Sequence, residues 1–227
     1  SASLVGSEMC IRDRPEEPLE LTSNMLSPGF EDNSKGWVCN GFSPQSNDAF
    51  ELKEGTYYCE IWSGWGNVAD GDIHQIVELP NGNYQLTVLA QNIQESNKAI
   101  PQKGAYVYAN NARKELSLTG KYTLDFVVVD NQAKIGVNTI GCTGNKVSID
   151  DFHIYYTGFD DDAQFAEFRQ MIQEGEALLE SPQHADSLAM LAKAVEEAKA
   201  VTKTEDIAAK ANILRKAITA SQVSVGD

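Results

Sequence analysis

Between residues 36 and 156, apolar residues recur in short runs at 36–42, 49–52, 56–62, 73–79, 84–93, 105–109, 122–129, 134–140 and 147–156, punctuated by Gly, Asn and Pro. Runs of this length with turn residues between them predict the strands of a β-sandwich rather than a βαβ sheet. Side chains alternate across a strand, so parity says which of them share a face. Tyr84, Leu86, Val88 and Ala90 therefore point to the core, with Gln85, Thr87, Leu89 and Gln91 opposite. In 105–109 the small residues Ala105, Val107 and Ala109 lie on one side and Tyr106 and Tyr108 on the other, which leaves both phenols available to a groove. Pro80-Asn81-Gly82-Asn83 predicts a hairpin, because Asn-Gly readily supplies the positive φ angles of a tight turn.

The period changes after Gly158. From Asp160 onward Gly and aromatic residues nearly vanish, Ala, Glu, Lys and Leu dominate, and apolar positions recur every 3.6 residues. A first helix opens at the acidic Asp160-Asp161-Asp162, favourable at the positive end of a helix dipole, and carries Phe165, Phe168, Ile172 and Leu179. Ser181-Pro182 breaks it. A second presents Leu188, Leu191, Ala192, Val195 and Ala198, and a third begins with Thr204 as N-cap and presents Ile207, Ala211, Leu214 and Ile218. The expected organisation is a leader and linker over 1–18, an all-β sandwich over 19–158 and an all-α three-helix bundle over 159–227.

Composition narrows the partners. A formal net charge of −15 over 227 residues argues against the phosphate backbone of nucleic acid and against an anionic membrane surface, and no basic run offsets it. No apolar stretch is long enough to span a bilayer, so membrane insertion is not expected. The opening residues 1–14 fit neither a secretory leader nor a strand. They resemble the translated sequencing-adapter peptide sometimes fused to gene fragments, so disorder is expected there and further domains upstream. Discounting Cys10, the odd set Cys39, Cys59 and Cys142 leaves open a Cys39–Cys59 pair or buried free thiols.

Two distant segments carry the strongest local chemistry. In 24–37 the Pro28-Gly29 bend aims Glu31 back at the domain while Phe30 and Trp37 anchor it in the core. In 147–156 the apolar positions Val147 and Ile149 fall out of step with Phe152 and Ile154, so a bulge is expected at Asp150-Asp151. Solvated carboxylates flanking turns account for these acids. So does a structural Ca²⁺ site built from Glu31 and Asp150 with Asp151 and loop carbonyls, since Ca²⁺ takes hard oxygen ligands.

The segments 24–37, 75–86 and 149–152 resemble the framework of carbohydrate-binding modules with the galactose-binding-like jelly-roll fold. The resemblance implies structural Ca²⁺ on Glu31 and Asp150; this chain departs from it by having Ser27-Pro28 before the glycine. Residues 160–225 resemble the FIVAR-type helical modules that act as spacers in extracellular glycan-processing proteins and adhesins.

Ligand recognition points to the aromatic cluster 57–66. Sugars offer patches of C–H bonds that pack on an indole face, while their hydroxyls need polar partners. Trp65 stands between Gly64 and Gly66 with no core around it, and Trp62 ends an apolar strand. With Tyr106, Tyr108, Gln91 and Asn138 they form the expected ligand-binding set. His74, His153 and His184 are scattered and no nucleophile motif accompanies them, so catalysis by this chain is not expected, and Asp70-Gly71-Asp72 reads as a turn. The expected function is a non-catalytic module of a secreted or cell-surface protein, resembling those of gut Bacteroidetes. It would bring an attached glycan-degrading catalytic domain to polysaccharide. A structural or adhesive module that contacts a protein is the alternative, and a lyase or hydrolase built on the sandwich a third.

Overall fold

The computed structural model describes residues 15–225; the expectations for the leader and for Cys10 fall mainly on residues 1–14, outside the described ones. The strands are β1 (Leu19–Glu20), β2 (Glu31–Ser34), β3 (Val38–Asn40), β4 (Ser43–Gln45), β5 (Tyr58–Trp62) and β6 (Asp72–Glu78), then β7 (Gly82–Ile93), β8 (Ala105–Ala109), β9 (Ala112–Leu116), β10 (Gly120–Val128), β11 (Gln132–Asn138) and β12 (Lys146–Gly158). Antiparallel pairing orders them into one sheet β10-β7-β12-β5-β4, with β1 added along β12, and a second sheet β3-β6-β11-β8-β9. Three helices follow: α1 (Asp161–Leu179), α2 (Ala185–Lys199) and α3 (Thr204–Val225).

Parity holds in both strands for which it assigns faces. Tyr84, Leu86, Val88 and Ala90 are buried between the sheets, as are Ala105, Val107 and Ala109, while Tyr106 and Tyr108 stand on the outer face of the second sheet. The phase slip in β12 is a bulge. Asp150 pairs with Leu89 and His153 with Thr87, so Asp151 and Phe152 together oppose Val88 alone. The extra residue, Asp151 with φ 51°, lets Ile149, Phe152 and Ile154 all face inward despite their mismatched spacing.

That bulge closes the sandwich. The backbone N–H of Phe152 donates to Pro28 O at 3.0 Å, and the rings of Phe30, Trp37 and Phe152 pack at centroid distances of 5.1–6.4 Å. Trp37 is in the core as expected, its indole N–H given to Ser27 O at 3.1 Å. The positive φ angles of the turn fall on Ser27 and Phe30, not on Gly29; the backbone N–H of Phe30 bonds back to Ser27 O at 3.1 Å and holds that conformation.

Four local expectations change. The Pro80–Asn83 turn is not a hairpin, because β6 and β7 lie in different sheets and the turn passes between them. Gly82 is needed there for close approach: a Cβ would sit 2.4 Å from the Tyr156 ring. The run 36–42 splits into β3 and β4, again in different sheets, and 49–52 is not a strand but a loop that buries Phe50 against Tyr58. Thr204 is the first residue of α3 rather than its N-cap.

The helices form the expected bundle around Phe168, Met171, Leu191, Val195, Leu214 and Ile218. Leu188, predicted on the packed face, is 39% exposed. Asp160 caps α1, accepting from the N–H of Ala163 at 3.1 Å. No helix of the described residues is long and apolar enough to cross a membrane. Cys39, Cys59 and Cys142 are free thiols in this structure.

Candidate functional site

Three loops meet at one end of the sandwich: 63–71 after β5, 94–104 after β7 and 139–145 before β12. Backbone hydrogen bonds stitch them together, from Ser63 N to Asn145 O, Val68 N to Gly144 O and Thr143 N to Lys103 O, each at 2.9 Å. Side chains finish the frame. Gln94 Nε2 donates to Thr143 O at 2.6 Å, and Glu95 N donates to Asn145 Oδ1 at 2.9 Å. This end is therefore a braced scaffold, although it carries no regular structure.

On it stand two indoles. Trp65 is 95% exposed and Trp62 is 56% exposed. Trp62 is oriented: its Nε1–H donates to Glu95 Oε2 at 2.8 Å, and the Lys146 ammonium lies 5.9 Å from its ring centroid. Lys146 in turn contacts Glu95 Oε1 at 2.5 Å, with its own side chain nearly buried. The Lys146 hydrogen bond holds the Glu95 carboxyl below the usual range against the opposing effect of burial. Glu95 and Lys146 are not apparent from sequence. Parity places Lys146 beside Trp62, but only if β12 is known to pair with β5.

Tyr106, Tyr108 and Asn138 come together elsewhere, on the outer face of the second sheet around Asp72. Tyr108 Oη donates to Asp72 at 2.9 and 3.1 Å, Asn138 Nδ2 donates at 3.2 Å, and His74 Nδ1 lies 2.6 Å from Asp72 Oδ1. Asp72, expected as a turn residue, instead begins β6 and gathers this network. Burial, with the Asp72 charge second, raises the Tyr108 phenol, so its hydroxyl is committed to that carboxylate rather than open to a groove. Tyr106 stacks with Arg113, whose guanidinium carbon is 4.7 Å from the ring centroid.

Gln91 is inside the protein, contrary to its expected place in a groove. Its Nε2 donates to Ser148 Oγ at 2.8 Å and Ala49 O at 3.3 Å, and the loop that buries Phe50 covers it. The face parity puts outside is indeed outside the sandwich, but a segment remote in sequence lies over it.

The paired carboxylates sit at the other end. Glu31 Oε1 accepts the N–H groups of Thr56 and Tyr57, both at 2.8 Å; Asp150 Oδ2 accepts Glu54 N and Oδ1 accepts Asp151 N, also at 2.8 Å. Asp150 is fully buried, and burial outweighs those amides and pushes its carboxyl up to about 7, with Asp151 and Glu31 adding repulsion. A buried acid with acids for neighbours and no ion pair among the described residues suits a divalent ion in charge, and Glu31 and Asp150 both reach the 54–57 loop. Asp151 does not join them. Its Oδ1 contacts His153 Nε2 at 2.9 Å, and no group of three His, Cys, Asp or Glu ligands forms among the described residues. The fit is thus two carboxylates with oxygen lone pairs to spare, and further ligands would have to be loop carbonyls or water.

No protein-family model matches the chain, and no curated protein sequence does. Among solved structures it is similar to the carbohydrate-binding module TmCBM61 in complex with beta-1,4-galactotriose, 18% identical over 59% of this chain and 97% of that one, with a TM-score of 0.45. The Stig cyclase Fisc from Fischerella sp. TAU is 12% identical over 63% of this chain and 100% of its own, TM-score 0.47. The CBM22-1 xylan-binding domain of Paenibacillus barcinonensis Xyn10C is 12% identical over 60% and 95%, TM-score 0.43. Such slight likenesses, shared by binding modules and an enzyme, decide neither ligand nor chemistry.

Proposed function

We propose that the sandwich is a non-catalytic carbohydrate-binding module whose loop end holds sugar rings against Trp65 and Trp62. The observation that carries this is two exposed indoles at one braced end of the sandwich, Trp62 closing β5 and Trp65 in the loop that follows it. Leaving apolar surface in water costs roughly 25 cal/mol per Å², and large exposed aromatics mark places where a partner covers them. Glu95 and Lys146 supply charged groups beside Trp62, as hydroxyl-rich ligands need. Tethered to a catalytic domain of a secreted or cell-surface parent protein, such a module would raise that domain's local concentration on polysaccharide even at weak affinity.

Affinity electrophoresis through gels containing a panel of neutral polysaccharides tests this. Wild type is expected to be retarded on at least one polymer. Trp65→Ala should weaken that retention about tenfold, the equivalent of ~1.4 kcal/mol, a size typical of a lost aromatic stack. Free mobility of wild type on every polymer would instead favour a protein-contacting, adhesive role, and turnover of a polysaccharide by the chain alone would make it an enzyme.

We propose also that Glu31 and Asp150 hold a structural Ca²⁺. A ligand that binds only the folded chain stabilises it by about 2.7 kcal/mol at a hundred times its dissociation constant. Melting in excess Ca²⁺ should therefore occur several degrees above melting in EDTA, and Asp150→Asn should abolish the difference. Identical melting curves for the wild type in both buffers would reject the site.

A further inference from the structure

The outer face of the second sheet, around the exposed Ile76, faces α3 across an open cleft of about 840 Å³, a size usual for small-ligand pockets. Both domains build it: His74, Ile76 and Lys134 line it from the sheet, and Arg215, Lys216 and Gln222 from α3.

The joint that shapes the cleft is specific. Gln164 Nε2 donates to Val128 O at 2.9 Å in a buried position, Arg215 Nε pairs with the buried Asp130 carboxylate, and Val129 packs into the core of the bundle. Asn111 Nδ2 reaches Glu167 Oε1 at 3.3 Å. The helical domain is thereby fixed as one wall of a cavity, a stronger role than that of a spacer.

Charge says what the cleft would take. The chain has 33 acidic and 18 basic side chains, so carboxylate partners for lysine are plentiful. Lys35, Lys53, Lys146, Lys199 and Lys210 each pair with one. Lys134 of β11 and Lys216 of α3 have no ion pair among the described residues, and unlike other unpaired lysines they line one cleft from opposite walls, alongside Arg215. Among the described residues its only carboxylate lining is Glu174, engaged at 3.4 Å by Gln222 Nε2.

We propose that this cleft binds a short oligosaccharide carrying carboxylate or sulfate groups. The two ammonium groups receive the anionic substituents, the side-chain amides from both walls receive hydroxyls, and the exposed Ile76 and Val223 accept C–H faces of the rings. The net charge of −15 opposes a long polyanion. Over a short ligand it matters less, because salt at about 0.15 M screens charge beyond ~8 Å and the nearest cations decide. This second site lies on a different surface from the indoles and does not require them.

Isothermal titration of the whole chain with trigalacturonate, a sulfated chondroitin disaccharide and neutral galactotriose tests the proposal. At least one acidic ligand should bind, more weakly as salt is raised. The double variant Lys134→Glu with Lys216→Glu should weaken it by about tenfold or more, as expected for lost hydrogen bonds between charged groups. Lys134→Arg with Lys216→Arg should retain binding, which separates loss of charge from loss of fold, and Trp65→Ala should leave it unchanged. Binding of trigalacturonate alone assigns the carboxylate, and of the disaccharide alone the sulfate. The proposal is overturned if wild type binds neither acidic ligand, if the charge-reversed variant binds as well as wild type, or if Trp65→Ala abolishes acidic binding. Loss of galactotriose binding in Trp65→Ala bears only on the loop-end site.

Discussion

Truncating Phe152 to alanine is expected to lower the unfolding free energy by about 3–5 kcal/mol, the usual cost of emptying a buried aromatic site. The ring is fully buried, its centroid lying 5.1 Å from that of Trp37 and 6.4 Å from that of Phe30. Its backbone N–H is also the link from the β12 bulge to the first turn. No neighbour is free to collapse into the gap, because Trp37 is held by its indole hydrogen bond to Ser27 O and Phe30 by a turn at positive φ. Urea unfolding would read the loss as a lower midpoint at unchanged slope. A cost below about 1 kcal/mol would mean the three rings do not form a packed unit.

The second large effect is expected at Gly104, which touches no proposed ligand group. Its φ is +84°, and a Cβ there would meet Gly141 O at 2.2 Å, Gly141 C at 2.5 Å and Cys142 Cα at 2.7 Å. All three are backbone atoms, so no flexible side chain can swing aside. Gly104→Ala therefore adds left-handed strain of about 1–2 kcal/mol and an overpacking cost of about 1–3 kcal/mol. Loops 94–104 and 139–145 would be forced apart, and because 139–145 is bonded to the Trp65 loop through Val68 N and Gly144 O, melting temperature and polysaccharide retention should fall together. Gly141 provides the comparison. Its φ is +73° but nothing lies within 4 Å of its Cβ position, so Gly141→Ala should carry the strain alone. Equal losses in the two variants would show that the close approach at Gly104 is not tight.

Much of this molecule is legible in its residue pattern because the signals are local. Period-two runs mark the core faces of β7 and β8, the phase slip at Asp150-Asp151 marks the bulge, and the change of period after Gly158 marks the helical domain. Trp62 and Trp65 stand out by the absence of any apolar sequence that would bury Trp65, and both are exposed.

What is not legible depends on pairing. Asn81-Gly82 carries the same turn chemistry whether the next strand returns to the same sheet or crosses to the other, so no local signal separates a hairpin from this crossing. Gln91 lies on the predicted face, but a loop more than forty residues earlier, at Ala49 and Phe50, covers it. Asp72 looks like half of a turn because its partners Tyr108 and Asn138 are 36 and 66 residues away.

By itself, then, the order of apolar and polar residues determined two layers of strands followed by a bundle, with an indole-bearing loop between strands, because each of these needs only neighbours in sequence. Tertiary structure alone decided that Lys134 and Lys216, remote from each other along the chain, line opposite walls of one cleft, and that Asp151 turns to His153 instead of joining Glu31 and Asp150. The reason is physical: charge and hydrogen-bonding capacity are properties of a residue, but their use is set by whatever the fold brings within a few ångströms.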